Sequence, residues 1–317
     1  MLSSEAVKQR AKALGFDLCG IAPAGAFPEL SFLREWLDRG YAGHMGYLPR
    51  TAKIRADVRR IMPSARSVIM TGTVYNSAAP YSTERRDPAV GPLAAIARYA
   101  CADDYHDVLA RRLDALVAWM HQEHSEPFDA RPYVDTGPVQ ERVYAQYAGL
   151  GWIGKNACVI NPQMGSWILL AEIICSLPLE PDQPSLDQCG TCTLCLDACP
   201  TGALVAPRVL DATKCVSYLT IEYRGAIRDE QREGIGNRLF GCDVCQEVCP
   251  WNAVAPGAND AWPSRPWLSV LKMTEMAAMS DAALGELIDG TPLSRAGVKG
   301  LRRNLASSAR NILRESA

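Results

Sequence analysis

Long hydrophobic runs are missing from this sequence. Its most apolar stretch, WILLAEIICSLPL (167–179), is too short to cross a bilayer and is interrupted by Glu172. The first residues, MLSSEAVKQRAKALGFDLCG, are polar and helical in pattern and contain no apolar core of a secretory signal. Net charge is almost absent as well. The 33 Lys and Arg against 35 Asp and Glu leave −2, so no global field attracts a polyanion. Any nucleic-acid contact must then come from a local patch. No low-complexity tract and no extended repeat is present. These absences exclude a membrane-spanning chain and predict a soluble, cytoplasmic protein with no membrane partner.

Cysteine is what the sequence has in abundance, 12 in 317 residues. In a reducing compartment that number argues for metal or redox work, not for a disulfide framework. The length accommodates two domains, on a prior of roughly 150 residues each.

Ser3 or Ser4 can cap a first helix carrying Val7, Ala11 and Leu14 on one face and ending near Gly15. The β-rich run SVIMTGTVYN (67–76) reads as a buried strand. From Asp104 to His121, apolar residues from Val108 to Met120 recur at helical spacing. Residues 141–148 read as a helix, and 157–160 and 167–174 as strands. Residues 1–176 therefore form one mixed domain, which makes the fold class α+β. LPLEPDQPSLDQ (177–188), rich in proline and acid, reads as a linker. A cysteine-dense unit extends over 177–255, and a short helical, basic segment over 256–317.

The spacing of the cysteines carries the chemistry. Cys189-x2-Cys192-x2-Cys195-x3-Cys199-Pro200 matches the two-cluster ferredoxin run, whose fourth cysteine ligates the other cluster. The second run, Cys242-x2-Cys245-x3-Cys249-Pro250, ends in the same way but lacks one early cysteine. Crosswise accounting assigns Cys189, Cys192, Cys195 and Cys249 to one [4Fe–4S] cluster. Cys199, Cys242 and Cys245 go to the other, with Cys215, in TKCVSYL, filling the vacancy. Paired zinc sites also use CxxC but seldom this longer run. Cys19, Cys101, Cys158 and Cys175 lie in apolar or strand-like settings and read as small buried hydrophobes. Two clusters in contact form a short electron path, so the first 175 residues should hold the acceptor.

GLGWIG (149–154) fits the glycine pattern of a dinucleotide fold, with Glu172 about 20 residues on. The order is wrong, because a helical stretch precedes it and a strand follows. The glycines are expected to allow a tight turn or close approach to a large flat ligand.

The residues resemble a known family. CGTCTLCLDACPTGAL, CVSYLTIE and GNRLFGCDVCQEVCPWN are similar to the iron–sulfur half of the epoxyqueuosine reductases. RADVRRIMPSARSVI, DYHDVL, VDTGPVQERVYAQYAGLGWIGKN and GSWILLAEI resemble that family's front half, in order. The resemblance implies an N-terminal cobalamin-binding domain and a ferredoxin-like domain with two [4Fe–4S] clusters. It also implies reductive removal of the epoxide oxygen of epoxyqueuosine at the tRNA wobble position, the last step to queuosine. Electrons from an external low-potential donor would pass through both clusters to cobalamin. A monomer is expected. Longer members add helical repeats that this chain, ending near RNLASSARNIL, lacks, and ACADDYH (100–106) departs from a glycine common before the Asp-Tyr-His.

By the same resemblance Asp135 matches the proton donor, a role that requires burial to raise its pKa; the other reading is that it caps the following turn. Tyr105 and His106 are candidate substrate contacts. Arg55, Arg98, Asn156, Val159 and Leu170, together with Asp135, match the corrinoid-binding positions. Arg295, Lys299, Arg302 and Arg303, with Arg310 and Arg314, form a basic patch suited to tRNA phosphates around a splayed anticodon base. The alternatives are a corrinoid reductase of the dehalogenase type, a simple electron carrier, or a nucleic-acid-binding protein with structural clusters.

Overall fold

The computed structural model describes residues 2–84, 93–259 and 262–315, with side chains in the last stretch through residue 308. Helix α1 (Ser4–Ala13) starts where Ser3, in extended conformation, accepts the Ala6 N–H at 3.2 Å, and it stops before Gly15 at φ 92°. Strand β1 (Leu18–Pro23) follows, then α2 (Phe32–Asp38), α3 (Tyr47–Arg55) and β2 (Ser67–Val74), which is buried at every position. After β3 (Ala95–Ile96) come α4 (Tyr105–Glu123), β4 (Ala130–Tyr133), α5 (Glu141–Tyr147), the short pair β5 (Trp152–Ile153) and β6 (Val159–Ile160), and β7 (Ile168–Cys175).

The sheet runs β1-β2-β7-β4 with every neighbour antiparallel, so the first half is α+β. Period-two alternation divides its side chains between two cores. Ile21, Ile69, Ala171 and Ile173 face α1 and α4, meeting Val7, Ala11, Leu109, Leu113 and Met120. Ala22, Val68, Met70 and Ile174 face α5, meeting Tyr144, Ala145 and Ala148. The expected linker is strapped down: Leu177 and Leu179 are buried in the first core, and Asp182 accepts Lys8 at 2.5 Å and the Ile21 N–H at 2.8 Å.

The glycines of GLGWIG serve the chain itself. Gly149 turns out of α5 at φ 74°, and a Cβ on Gly151 would lie 2.3 Å from the Ile160 carbonyl. The β5–β6 hairpin closes only without that atom, which bears out the tight turn.

The cysteine-rich part contains α6 (Leu194–Asp197), the hairpin β8 (Leu204–Ala206) and β9 (Val209–Leu210), a π-helical turn (Tyr218–Glu222), α7 (Asp229–Ile235), β10 (Arg238–Phe240) and α8 (Val244–Glu247). Strand β10 pairs in parallel with β3. Helices α9 (Met273–Ala278), α10 (Asp281–Ile288) and α11 (Gly297–Glu315) complete the chain. They do not form a loose tail. Leu284, Leu293, Leu301 and Leu305 share one core with Ala94, Ile96, Leu239 and Phe240. Among the described residues no helix is long and apolar enough to cross a membrane.

Candidate active site and cluster sites

Asp135 sits at the tip of the loop after β4 with φ 55°, a left-handed conformation that costs about 1–3 kcal/mol in a non-glycine residue. The Thr136 N–H reaches back to the Val134 carbonyl across it at 2.5 Å. Its side chain does not cap that turn. Instead Oδ2 accepts the Tyr105 hydroxyl at 3.1 Å and lies 3.5 Å from His106 Nε2. Asp104 caps α4 by accepting the His106 N–H at 3.0 Å, and its Oδ1 is 2.7 Å from His106 Nδ1. The helix start thus presents Tyr105 and His106 together, with their rings stacked at 4.1 Å.

The electrostatics reverse one expectation. The His106 hydrogen bond, outweighing desolvation and helped by Tyr105 and Arg142, holds the Asp135 carboxyl below its usual range instead of above it. Burial pulls His106 down, but the hydrogen bonds and charges of Asp104 and Asp135 prevail and push it up to about 9. Burial and the Asp135 charge raise Tyr105 far above an ordinary phenol. At neutral pH the exchangeable protons of this cluster therefore reside on His106 and Tyr105.

Behind the cluster lies a pair that the sequence gave no reason to single out. Glu141 Oε1 accepts the Asp135 N–H at 2.8 Å, and Glu172, fully buried on β7, faces Glu141. Burial, then the Asp135 charge, raises Glu141 to about 7; burial, then Glu141, raises Glu172 well above the carboxylate range. Tyr47 of α3 lies within electrostatic reach of Asp135, Glu222, Arg295 and Arg55. The cleft is thus bounded by α3, the Asp135 loop and the π-helical turn. π-Helical distortions are frequent at functional sites.

Arg55 points inward, with Nε on Thr51 Oγ1 at 3.0 Å and Nη1 on the Val139 carbonyl at 2.6 Å, and its charge reaches Glu172. Asn156 is buried beside the second cysteine run, donating to the Cys245 carbonyl at 3.2 Å. Val159 is buried and Leu170 half-buried in the α5-side core. Arg98 is placed differently from the expectation. Its guanidinium is enclosed by Ser77 Oγ at 2.7 Å and the Ala79 carbonyl at 2.8 Å, and it stacks 5.1 Å from the rings of Tyr81 and Trp167. It braces a wall.

The basic patch is also largely committed to internal contacts. Arg295 bonds Glu222 at 2.9 Å; Arg302 bonds Asp281 at 2.9 Å and the Ala277 carbonyl at 3.0 Å. Arg303 donates to the carbonyls of Leu219, Tyr223 and Gly225. Lys299 is exposed, while the side chains of Arg310 and Arg314 lie outside the described residues.

The thiols gather in the two crosswise sets. Cys189, Cys192, Cys195 and Cys249 line one pocket with Leu194, Ile160 and Trp251. Trp152 Nε1 points at Cys189 Sγ, 3.4 Å away, and Lys155 holds the loop through the carbonyls of Gly190 at 2.7 Å and Cys192 at 2.9 Å. Cys215 lies within electrostatic reach of Cys199, Cys242 and Cys245, with Cys242 pushed up to about 12 by burial. The Ala203 N–H is 3.2 Å from Cys199 Sγ, the kind of bond that tunes a cluster. Among the described residues no three Cys, His, Asp or Glu side chains converge on a single-ion site.

Cys19 and Cys175 are apolar-core thiols whose burial pushes them to about 12 and about 11. Cys158 is not of this kind. It is hydrogen-bonded to Cys245, which pulls its thiol down. The Cys158 neighbourhood became visible only once β6 was placed against the second run.

A family model described as "Epoxyqueuosine reductase QueG, DUF1730" matches residues 55–136, and a "4Fe-4S double cluster binding domain" matches residues 188–252. An epoxyqueuosine reductase of Gloeobacter violaceus is 43% identical over 318 residues, covering 95% of this chain and 94% of that protein. A solved epoxyqueuosine reductase bound to an epoxyqueuosine-modified tRNA-Tyr stem loop superposes with a TM-score of 0.85 at 33% identity, covering 99% of this chain and 82% of that one. The Bacillus subtilis enzyme, solved with its catalytic aspartate loop swung out of the active site, gives 0.86 at 32% identity over 98% of this chain and 82% of that one. By these similarities, which extend over both the acidic cleft and the iron–sulfur segment, the chain belongs to the epoxyqueuosine reductase family.

Proposed function

We propose that this protein removes the epoxide oxygen of epoxyqueuosine in a tRNA anticodon loop, leaving queuosine. Loss of that oxygen as water consumes two electrons and two protons, and the chain provides for both. The observation that carries the reading is Tyr99, whose ring stands 6.0 Å from that of Tyr105 and 6.2 Å from that of Phe240, two residues before Cys242. One ring thus packs against both the proton-bearing cluster and the strand that leads into the second cysteine run.

Asp135 is the group that delivers a proton to the departing oxygen. Tyr105 and His106 hold its carboxylate in place and keep the protons it hands on. Protonated His106 also offsets negative charge developing on the oxygen. The left-handed turn projects the Asp135 side chain, 59% exposed, outward to where a substrate arrives.

The residues present suit cobalamin. Leu170, half-buried against the core that contains Val159, offers apolar surface for the ring face. Arg55, half-buried at the end of α3, offers a donor to its amide-fringed edge, and Asn156 secures the neighbouring hairpin. Bound there, a corrinoid supplies a strongly reducing, nucleophilic metal centre. The cysteine sets differ in exposure: Cys192 is exposed, whereas Cys242 and Cys245 lie inward, beside Asn156. An external low-potential donor is accordingly served at the Cys189–Cys195 loop. Among the described residues of the basic segment, Lys299 is an exposed cation available to a tRNA phosphate. A soluble, cytoplasmic monomer agrees with a tRNA substrate.

The test is anaerobic turnover of epoxyqueuosine-containing tRNA by iron-replete protein with cobalamin and a strong reductant, read by nucleoside mass spectrometry. Queuosine should appear in proportion to enzyme; unchanged epoxyqueuosine together with no uptake of the corrinoid overturns the reading.

A further inference from the structure

Glu172 is the most fully enclosed acid of the catalytic half. Its β7 neighbours in register are Met70 on β2 and Tyr133 on β4, and alternation along β7 puts it on the α5 face with Leu170 and Ile174. It is 0% exposed, and among the described residues no N–H or O–H donor reaches either of its oxygens. Its hydrogen-bonding neighbour is the Glu141 carboxyl. Two carboxyls that meet without a donor between them are bonded only through a proton of their own, and like charges this close cannot both ionise. The cations that face the pair are Arg55, at the end of α3, and Arg142, next to Glu141. Arg55 is bonded to Thr51 and Val139, and Arg142 to the Ala157 carbonyl at 2.9 Å. The remaining charge facing the pair is Asp135, which is negative and so reinforces proton retention.

We propose that Glu141 and Glu172 form a proton reserve behind Asp135, holding one proton in common and releasing it to the Asp135 carboxyl once His106 has spent its own proton. A neutral His106 no longer holds that carboxyl low. The inference rests on the function proposed above and extends it. Reduction of the epoxide to the alkene takes two electrons from the low-potential donor and two protons, while the C–O bonds break and water leaves. His106 supplies the first proton by way of Asp135, and with that proton spent a second must follow. Glu141 is placed to supply it, because its Oε1 already holds the backbone of the Asp135 loop. The pair does not touch substrate; both glutamates act through Asp135.

The experiment compares wild type with Glu172→Gln and Glu141→Gln in the iron-replete holoenzyme. Infrared difference spectra of the wild type should show a protonated carboxyl band that persists from pH 6 to pH 8, and Glu172→Gln should lack it. The variant should turn over about tenfold more slowly, with unchanged KM for tRNA and no inflection near pH 7. Folded-state protonation above the usual glutamate range means that wild-type stability declines as pH rises through about 7, and Glu172→Gln should be flat there. If Glu172→Gln does not fold, Glu141→Gln, less enclosed, carries the same comparison. A wild type with no such band, or variants with wild-type rate and pH profile, overturns the reserve. A wild type that never converts epoxyqueuosine overturns the function instead, and the band still decides whether the proton is shared.

Discussion

Asn156 Nδ2 donates to the Cys245 carbonyl at 3.2 Å while its Oδ1 accepts the Cys158 N–H at 3.1 Å. One buried amide thus fastens the β5–β6 hairpin to the second cysteine run, with Ala157 beside it held at φ 63°. Asn156→Ala leaves a donor and an acceptor unpaired and should cost about 1–3 kcal/mol, measured by anaerobic denaturant unfolding. An unchanged midpoint would remove Asn156 from its role as the fastener.

Cys215 and Cys158 make opposite predictions. Cys215→Ala should lose about half of the roughly eight irons expected for two [4Fe–4S] clusters. Cys158→Ala, which leaves all four thiols of each crosswise set in place, should keep them. Iron and sulfide determination decides, and equal retention in both variants would reassign the fourth ligand.

His106 predicts the alkaline limb of activity. With its proton held to about 9, wild-type turnover should fall as pH rises through that value. His106→Asn should abolish the limb and slow the neutral rate about 100-fold, as loss of a general acid partner does. The linkage sign agrees: a histidine raised from 6.5 to about 9 lends stability fully below 6.5 and loses it as pH climbs through about 9. A steady-state pH profile of both proteins checks this.

Arg98 should behave as a structural residue. Arg98→Met removes its bonds to Ser77 and Ala79 and its place over two rings, and should destabilise the protein by about 2–4 kcal/mol. Corrinoid affinity of the protein that remains folded should match wild type in an optical titration. A selective loss of affinity would return Arg98 to the binding site.

The C-terminal cations should separate in the same way. Arg303→Glu strands three carbonyls of the π-helical turn region and should lower stability by about 2 kcal/mol or more. Lys299→Glu should leave stability within about 0.5 kcal/mol and weaken tRNA binding with a shallower salt dependence.

The legible parts of this protein were those coded within a few residues. Cysteine spacing is local, so both runs and the outlying Cys215 stand out in the sequence; the apolar period of α4 and the β-branched runs of β2 and β7 are local too. What escaped depends on distant pairing. Glu172 reads in the sequence as a lone polar break in an apolar strand, and its partner Glu141 stands on a different element. Arg98 and Arg303 read as surface cations because their acceptors are backbone carbonyls far along the chain, which no side-chain pattern announces. Asp135 was found through its motif, but its depressed pKa follows from His106, brought across from α4.

The core shared by Ala94, Phe240 and Leu305 sets a timetable for synthesis. All four strands of the main sheet precede residue 177, so that half can assemble while the ribosome is still translating, as early domains do. The other half cannot close until α11 emerges and Asn304 reaches the carbonyls of Thr220 and Leu239, each at 2.8 Å. From the emergence of Cys249 until α11 docks, every cysteine of both runs is made but not yet enclosed, and that interval is the natural window for iron and sulfide to be loaded.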